Sequence, residues 1–199
     1  MEEKKISPRG EVCYAHLKKP EVIVKKDGTT VETGKFSITI LMSDEDRKAF
    51  HQEIETLWEE FQKTLPEGTE FGLKNTPLGS VDSPAGMMFR FRKNESFKDK
   101  NGDIVHMVVP VFDSNNCDVT GRIASFGKGS VVRVSYEPSP FYTNSTSYGV
   151  SLRLLAVQVL KYVPFVPERN AEKYGFTPVE GGFNSEFGSE VVADEDIPF

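Results

Sequence analysis

At 199 residues, with 38% apolar and 27% charged residues, the chain can bury one core of ordinary size and is not disordered throughout. Two cysteines, Cys13 and Cys117, and an N-terminal MEEKKISPRG without an apolar run give no sign of a disulfide scaffold, signal peptide or membrane span, so the expected setting is reducing and cytoplasmic. The formal charge of −6 argues against a nucleic-acid partner until its distribution is read: six of the 30 acids fall between Tyr174 and Phe199, where no Lys or Arg occurs, and the rest of the chain balances 24 acids against its 24 bases.

Along the chain, GEVCYAHL at 10–17 and KFSITILM at 35–42 alternate as half-buried strands, and the KKDGTT between them supplies an Asp27-Gly28 turn. Ser43 with Asp46 three residues later marks a helix start. Phe50, Ile54, Leu57, Trp58, Phe61 and Leu65 then recur at helical spacing, which predicts a helix covering or plugging the barrel, with Trp58 in the core. Next, MMFRFRKNESFKDK and DIVHMVVPVF flank Asn101-Gly102, a hairpin signal. Strand alternation puts Met88, Arg90 and Arg92 on one face and Met87, Phe89 and Phe91 on the other.

SVVRVSYE reads as a strand, with Tyr136 on the face of Val132 and Val134. The proline-bearing YEPSPFYTNSTSY reads as a loop exposing aromatic rings. YGVSLRLLAVQVLKYV is a strand long enough to serve two sheets around a barrel corner. From Pro164 onward proline, glycine and acids replace any periodicity, so the expected division is a domain at 1–163 and a flexible, disordered acidic tail at 164–199. The fold class expected is all-β with one inserted helix, and a barrel is the simplest home for these strands.

Signals for catalysis are poor. GRIASFGKGS at 121–130 has one residue too many between Gly121 and Gly127 for a phosphate-binding loop, Gly129 where the hydroxyl should follow Lys128, and a strand where a helix should begin. Asp113 and Asp118 in FDSNNCDVTG could be pictured as metal ligands of a nuclease, but such Asp and Asn clusters mostly make turns. His16, His51 and His106 are scattered without metal-ligand spacing, so neither a metal nor another cofactor is expected.

Binding signals are richer. Arg90, Arg92, Lys93, Phe97, Lys98 and Lys100 interleave bases with an aromatic ring on one ribbon, as a groove for a single-stranded nucleic acid requires: cations for phosphates, rings for bases. The bland alternative is a solvated edge hairpin whose lysines discourage aggregation. Phe141, Tyr142 and Tyr148 add rings, with Phe141 and Tyr142 the better stacking candidates, while Arg122, Lys128, Arg133 and Arg153 add further bases, although single bases in strands are usually ordinary surface.

The chain ends in DEDIPF, which resembles the C-terminal tip of bacterial single-stranded DNA-binding proteins, a docking peptide for replication and repair enzymes. Phe199 can enter an apolar pocket, its α-carboxylate can meet a base, Pro198 limits the entropy lost, and Asp194, Glu195 and Asp196, beside Ile197, steer the tip to basic partners. The body, through GKGSVVRVSY, the aromatic segment after it and YGVSLRLLAVQVL, resembles the phage single-stranded DNA-binding proteins of the replication-accessory type. That resemblance implies an OB-fold, a five-stranded Greek-key barrel, and a homodimer in the cytoplasm of an infected bacterial host. The tail is shorter and less Gly/Gln-rich than bacterial ones, and it carries Ile197-Pro198 where phage relatives often have acids and a single phenylalanine.

The expected activity is therefore non-catalytic binding and protection of single-stranded DNA in phage replication, recombination and repair, with host or phage enzymes recruited through the tip. The rival is a protein-binding adaptor without DNA affinity. A nuclease using Asp113 and Asp118 comes third.

Overall fold

The structure, a computed structural model, describes residues 4–66, 88–123, 125–145, 147–165, 175–177 and 179. By its contacts the chain divides into two units, Met1–Val166 and Pro167–Phe199, and every element below belongs to the first. In chain order these are β1 (Lys5–Ile6), β2 (Gly10–His16), β3 (Val22–Val24), β4 (Thr30–Glu32), β5 (Lys35–Met42), α1 (Asp44–Gln62), β6 (Met88–Asn94), β7 (Ser96–Lys98), β8 (Ile104–His106), β9 (Val111–Phe112), β10 (Val131–Asn144) and β11 (Ser147–Lys161).

The five longest strands close a ring, because β2 pairs with β5, β5 with β6, β6 with β11, β11 with β10, and β10 with β2. Only the β6–β11 contact in this ring is parallel. β11 makes closure possible: it pairs with β10 along one edge and successively with β6 and β9 along the other, the two-sided role its length predicts. β1 adds to β10, and two ribbons, β3–β4 and β7–β8, project from the connections. Gly28 and Gly102 turn these ribbons at positive φ, +82° and +90°, where a side chain would be strained.

Alternation fills the barrel. Ile38, Ile40, Phe89, Phe91, Val132, Val134, Leu154 and Val157 are all fully buried. α1 begins where expected: Ser43 accepts a hydrogen bond from the Asp46 N–H at 3.2 Å, and Asp44, Glu45 and Asp46 lie in the first turn, where the helix dipole favours acids. Its buried face, Phe50, Ile54 and Trp58, is worth about 1.5–3 kcal/mol per aliphatic or Phe side chain. Phe50 meets Phe89 edge-on at 4.8 Å and Tyr136 at 5.6 Å, so the helix plugs the barrel with aromatic contacts. Tyr136 is buried on the face of Val132 and Val134.

One expectation is overturned here. YEPSPFYTNSTSY does not form a loop; β10 runs on through Asn144 and pairs with β11 as far as Asn144↔Ser147. Pro138 and Pro140 are tolerated because, two residues apart, they aim the same way, and β10's pairings with β2 and β1 end at Val132 and Tyr136. No donor is needed on that side.

Candidate nucleic-acid interface

Residues opposite one another in paired strands share a face. Across the barrel wall this produces a row His16, Ser37, Arg92, Arg153 and Glu137, contributed by β2, β5, β6, β11 and β10. Their neighbours Ile38, Phe91 and Leu154 are buried inside, so the row belongs to the outer wall, where Arg92 and Arg153 are exposed and Ser37 and Glu137 are covered. One step along, Tyr14, Thr39 and Arg90 form a second row on the same face.

Beside the first row lies a cleft of about 560 Å³ whose lining includes Lys35, Arg92, Lys93, Arg153, Phe97 and Ser151. Among the described residues it is lined by four bases and no acid. Burial, and next the neighbouring Arg90, lower the pKa of Arg92, with Glu21 partly offsetting them. Burial and then Arg153 lower that of Lys93. The cationic forms are thus held at some cost, which an incoming phosphate would relieve. Lys93 is positioned by a 2.9 Å hydrogen bond from its Nζ to the Val108 carbonyl. Arg153 is steadied by Glu137 at 3.2 Å and Arg90 by Glu21 at 3.5 Å, while the Arg90 Nε is buried without a hydrogen-bond partner among the described residues.

Rings border these cations. Phe97, half exposed, lines the cleft. Phe141 is half-buried and stands opposite Gly149, two residues beyond the Ser139–Ser151 pair that lines the cleft, so it extends the same face along the β10–β11 hairpin. Tyr14, 59% exposed, is the ring that sequence reading missed. A bulge between Val12 and Tyr14 breaks the alternation of β2: Val12 points inward, and the extra residue turns Tyr14 outward instead. Without the bulge Tyr14 would share the buried face of Val12. Lys35 was missed too, because as the first residue of a strand it carries no pattern of its own.

Other sequence-predicted residues lie elsewhere. Tyr148 is buried and stacks on Trp58 at 5.4 Å, with Tyr142 tilted against it at 6.4 Å, so this pair belongs to the packing under α1. The reason is parity: Tyr142 and Tyr148 are directly opposite and share the face that Phe141 does not. Lys98 is exposed on the ribbon face opposite Phe97, and Lys100 sits in its turn. Arg122, Lys128 and Arg133 are exposed but do not line the cleft. Met87 and the tip residues Asp194, Glu195, Asp196, Ile197, Pro198 and Phe199 lie outside the described residues.

Asp113 and Asp118, the acids a nuclease would need, are engaged in turns. Asp113 Oδ1 accepts from the N–H groups of Asn115 and Cys117, and Asp118 Oδ1 from the N–H and hydroxyl of Thr120. The Thr120 hydroxyl and then its N–H lower the Asp118 pKa. Among the described residues no group of three or more His, Cys, Asp or Glu is placed to hold a metal, and no helix is long and apolar enough to cross a membrane.

The closed five-strand ring with one parallel contact, its outer face bearing cations and rings, is an oligonucleotide-binding barrel. No family model and no curated protein matches the chain. Among solved structures it is similar to gp2.5, a single-stranded DNA-binding protein encoded by bacteriophage T7, at 22% identity and a TM-score of 0.62, over 92% of this chain and 99% of that one. It is also similar to the single-stranded DNA-binding protein from bacteriophage Enc34, at 22% identity and TM-score 0.51 over 86% of this chain and 89% of that one. The Enc34 protein in complex with single-stranded DNA matches at 21% identity and TM-score 0.50, over 82% and 89%. The chain therefore shares the fold of phage single-stranded DNA-binding proteins.

Proposed function

We propose that the chain binds single-stranded DNA without sequence preference and without catalysis, along the face formed by β5, β6 and the β10–β11 hairpin. The observation that carries this reading is the cleft lined by Lys35, Arg92, Lys93 and Arg153, with no acid among the described residues, and bordered by the exposed ring of Phe97. Phosphates lie on the cations and bases stack on the rings, a mode tolerant of sequence and sensitive to salt. The solved Enc34 complex with single-stranded DNA, on the same fold, supports the choice of ligand.

In this reading the protein coats transient single strands during phage replication, recombination and repair in the cytoplasm of the host, as a homodimer, and recruits partner enzymes through Asp194, Glu195, Asp196, Ile197, Pro198 and Phe199. The test is fluorescence anisotropy of a labelled oligo-dT of about thirty bases, longer than the roughly 4–16 nucleotides one barrel covers, against duplex of equal length. Preference for the single strand that weakens with salt supports the reading. Absence of binding transfers the case to a protein-binding adaptor.

A further inference from the structure

A second cleft, of about 350 Å³, lies at the end of the barrel where β2 finishes and β5 starts. Its walls are apolar: Leu17, Phe36, Val109, Ile123 and Phe126 all line it. The volume is near the lower bound of small-molecule sites, about 300 Å³. Met107 lines both this cleft and the basic one, so the two adjoin across a single thioether side chain. Unbranched and polarizable, Met107 can shift to admit a flat aromatic group and contact it through sulfur.

The rim differs from the walls. Lys18 and the exposed Ser125 lie on it, offering a cation and a hydroxyl, while Thr120 has its hydroxyl committed to the Val111 N–H and Asp118. Phe36 stands directly opposite Lys93 in the β5–β6 pairing, so one residue pair links the apolar wall to the basic cleft. Apolar walls of this extent gain when an apolar group replaces the water against them. What can fill it must be flat, mostly apolar on its faces, and attached to a phosphate that stays among the cations.

We infer that this apolar cleft receives one nucleobase of the bound strand, turned out of the stack while its phosphate remains at Lys93 and Arg92. The inference rests on the reading of the basic cleft as a single-strand interface. It adds an apolar base site beside a surface otherwise made of exposed stacking rings. Such a site favours strands that can unstack freely and disfavours positions without a base.

The experiment is photocrosslinking of the full chain to oligo-dT carrying 5-iodouracil, with crosslinked residues identified by mass spectrometry, repeated on Ile123→Phe and Ala15→Leu. Both substitutions fill the cleft from different walls, and thermal melting checks that each still folds. Crosslinks at Met107 or Phe126 that disappear in a folded variant are expected. Affinity for oligo-dT should fall about tenfold, the value of one stacked base, with no fall for an oligonucleotide of abasic sites. Crosslinks confined to Phe97, Tyr14 and Phe141 overturn the base site and leave the basic cleft standing. If no oligonucleotide is retained at all, both readings fall.

Discussion

Arg92 of β6 and Arg153 of β11 stand directly opposite each other in the barrel's one parallel contact between ring strands. Like charges this close destabilise a sheet: Arg90 is the like charge that acts on Arg92 and Arg153 the one that acts on Lys93, while Arg153 is steadied by Glu137 at 3.2 Å and Arg92 has no ion pair within salt-bridge distance among the described residues. A site that keeps this repulsion without DNA is suited to an anion. Arg92→Gln should therefore leave the melting temperature unchanged or raise it, yet weaken oligo-dT binding and reduce the salt slope by about 0.7, the value of one phosphate contact on a single strand. A lower melting temperature with unaltered binding would place Arg92 in the scaffold instead.

Tyr14 and Tyr148 should behave oppositely although both are tyrosines in strands. Tyr14→Ala removes an exposed ring beside Thr39 and Arg90, so it should cost about 1–3 kcal/mol of binding to oligo-dT and little stability. Tyr148→Ala opens a space under Trp58, and a loss of stability on the order of 3 kcal/mol is expected in denaturant unfolding. The idea fails if the two effects are exchanged.

That contrast shows what the sequence makes legible. Helix α1 could be read because Ser43, Asp46 and the apolar spacing from Phe50 to Leu65 are local signals, and the β7–β8 ribbon because Asn101-Gly102 is a local turn. Alternation alone puts Arg90 and Arg92 on one face. Tyr14 and Tyr148 could not be placed that way, since the first depends on a bulge at Val12/Tyr14 and the second on register with Tyr142, both fixed by pairing with distant strands. Pro138 and Pro140 suggested a loop because their tolerance depends on an edge left unpaired by β1 and β2, which no local pattern announces.

The helix cap offers a stability test independent of DNA. Ser43 accepts from the Asp46 N–H and donates to Asp46 Oδ2 at 2.8 Å. Ser43→Ala should destabilise the protein by about 0.5–2 kcal/mol, and Ser43→Asp should recover most of it. Equal melting curves for all three proteins would remove the cap from the account.

Gly127 tests how the chain leaves the barrel. Its N–H donates to the Val163 carbonyl at 2.8 Å, and a Cβ there would come within 2.6 Å of the Pro164 carbonyl oxygen. Because the obstacle is backbone, Gly127→Ala should cost about 1–3 kcal/mol and speed proteolysis after Val163. No change in either would mean that the Val163–Pro164 segment yields freely.

The central claim, that single strands lie on the Arg92–Arg153 face, is tested most directly by hydrogen–deuterium exchange with and without oligo-dT. The account predicts slowed exchange in the peptides carrying Lys35, Arg92 to Phe97 and Ser139 to Arg153. Protection confined to the peptides of Arg122, Lys128 and Arg133, with the cleft unchanged, would contradict it.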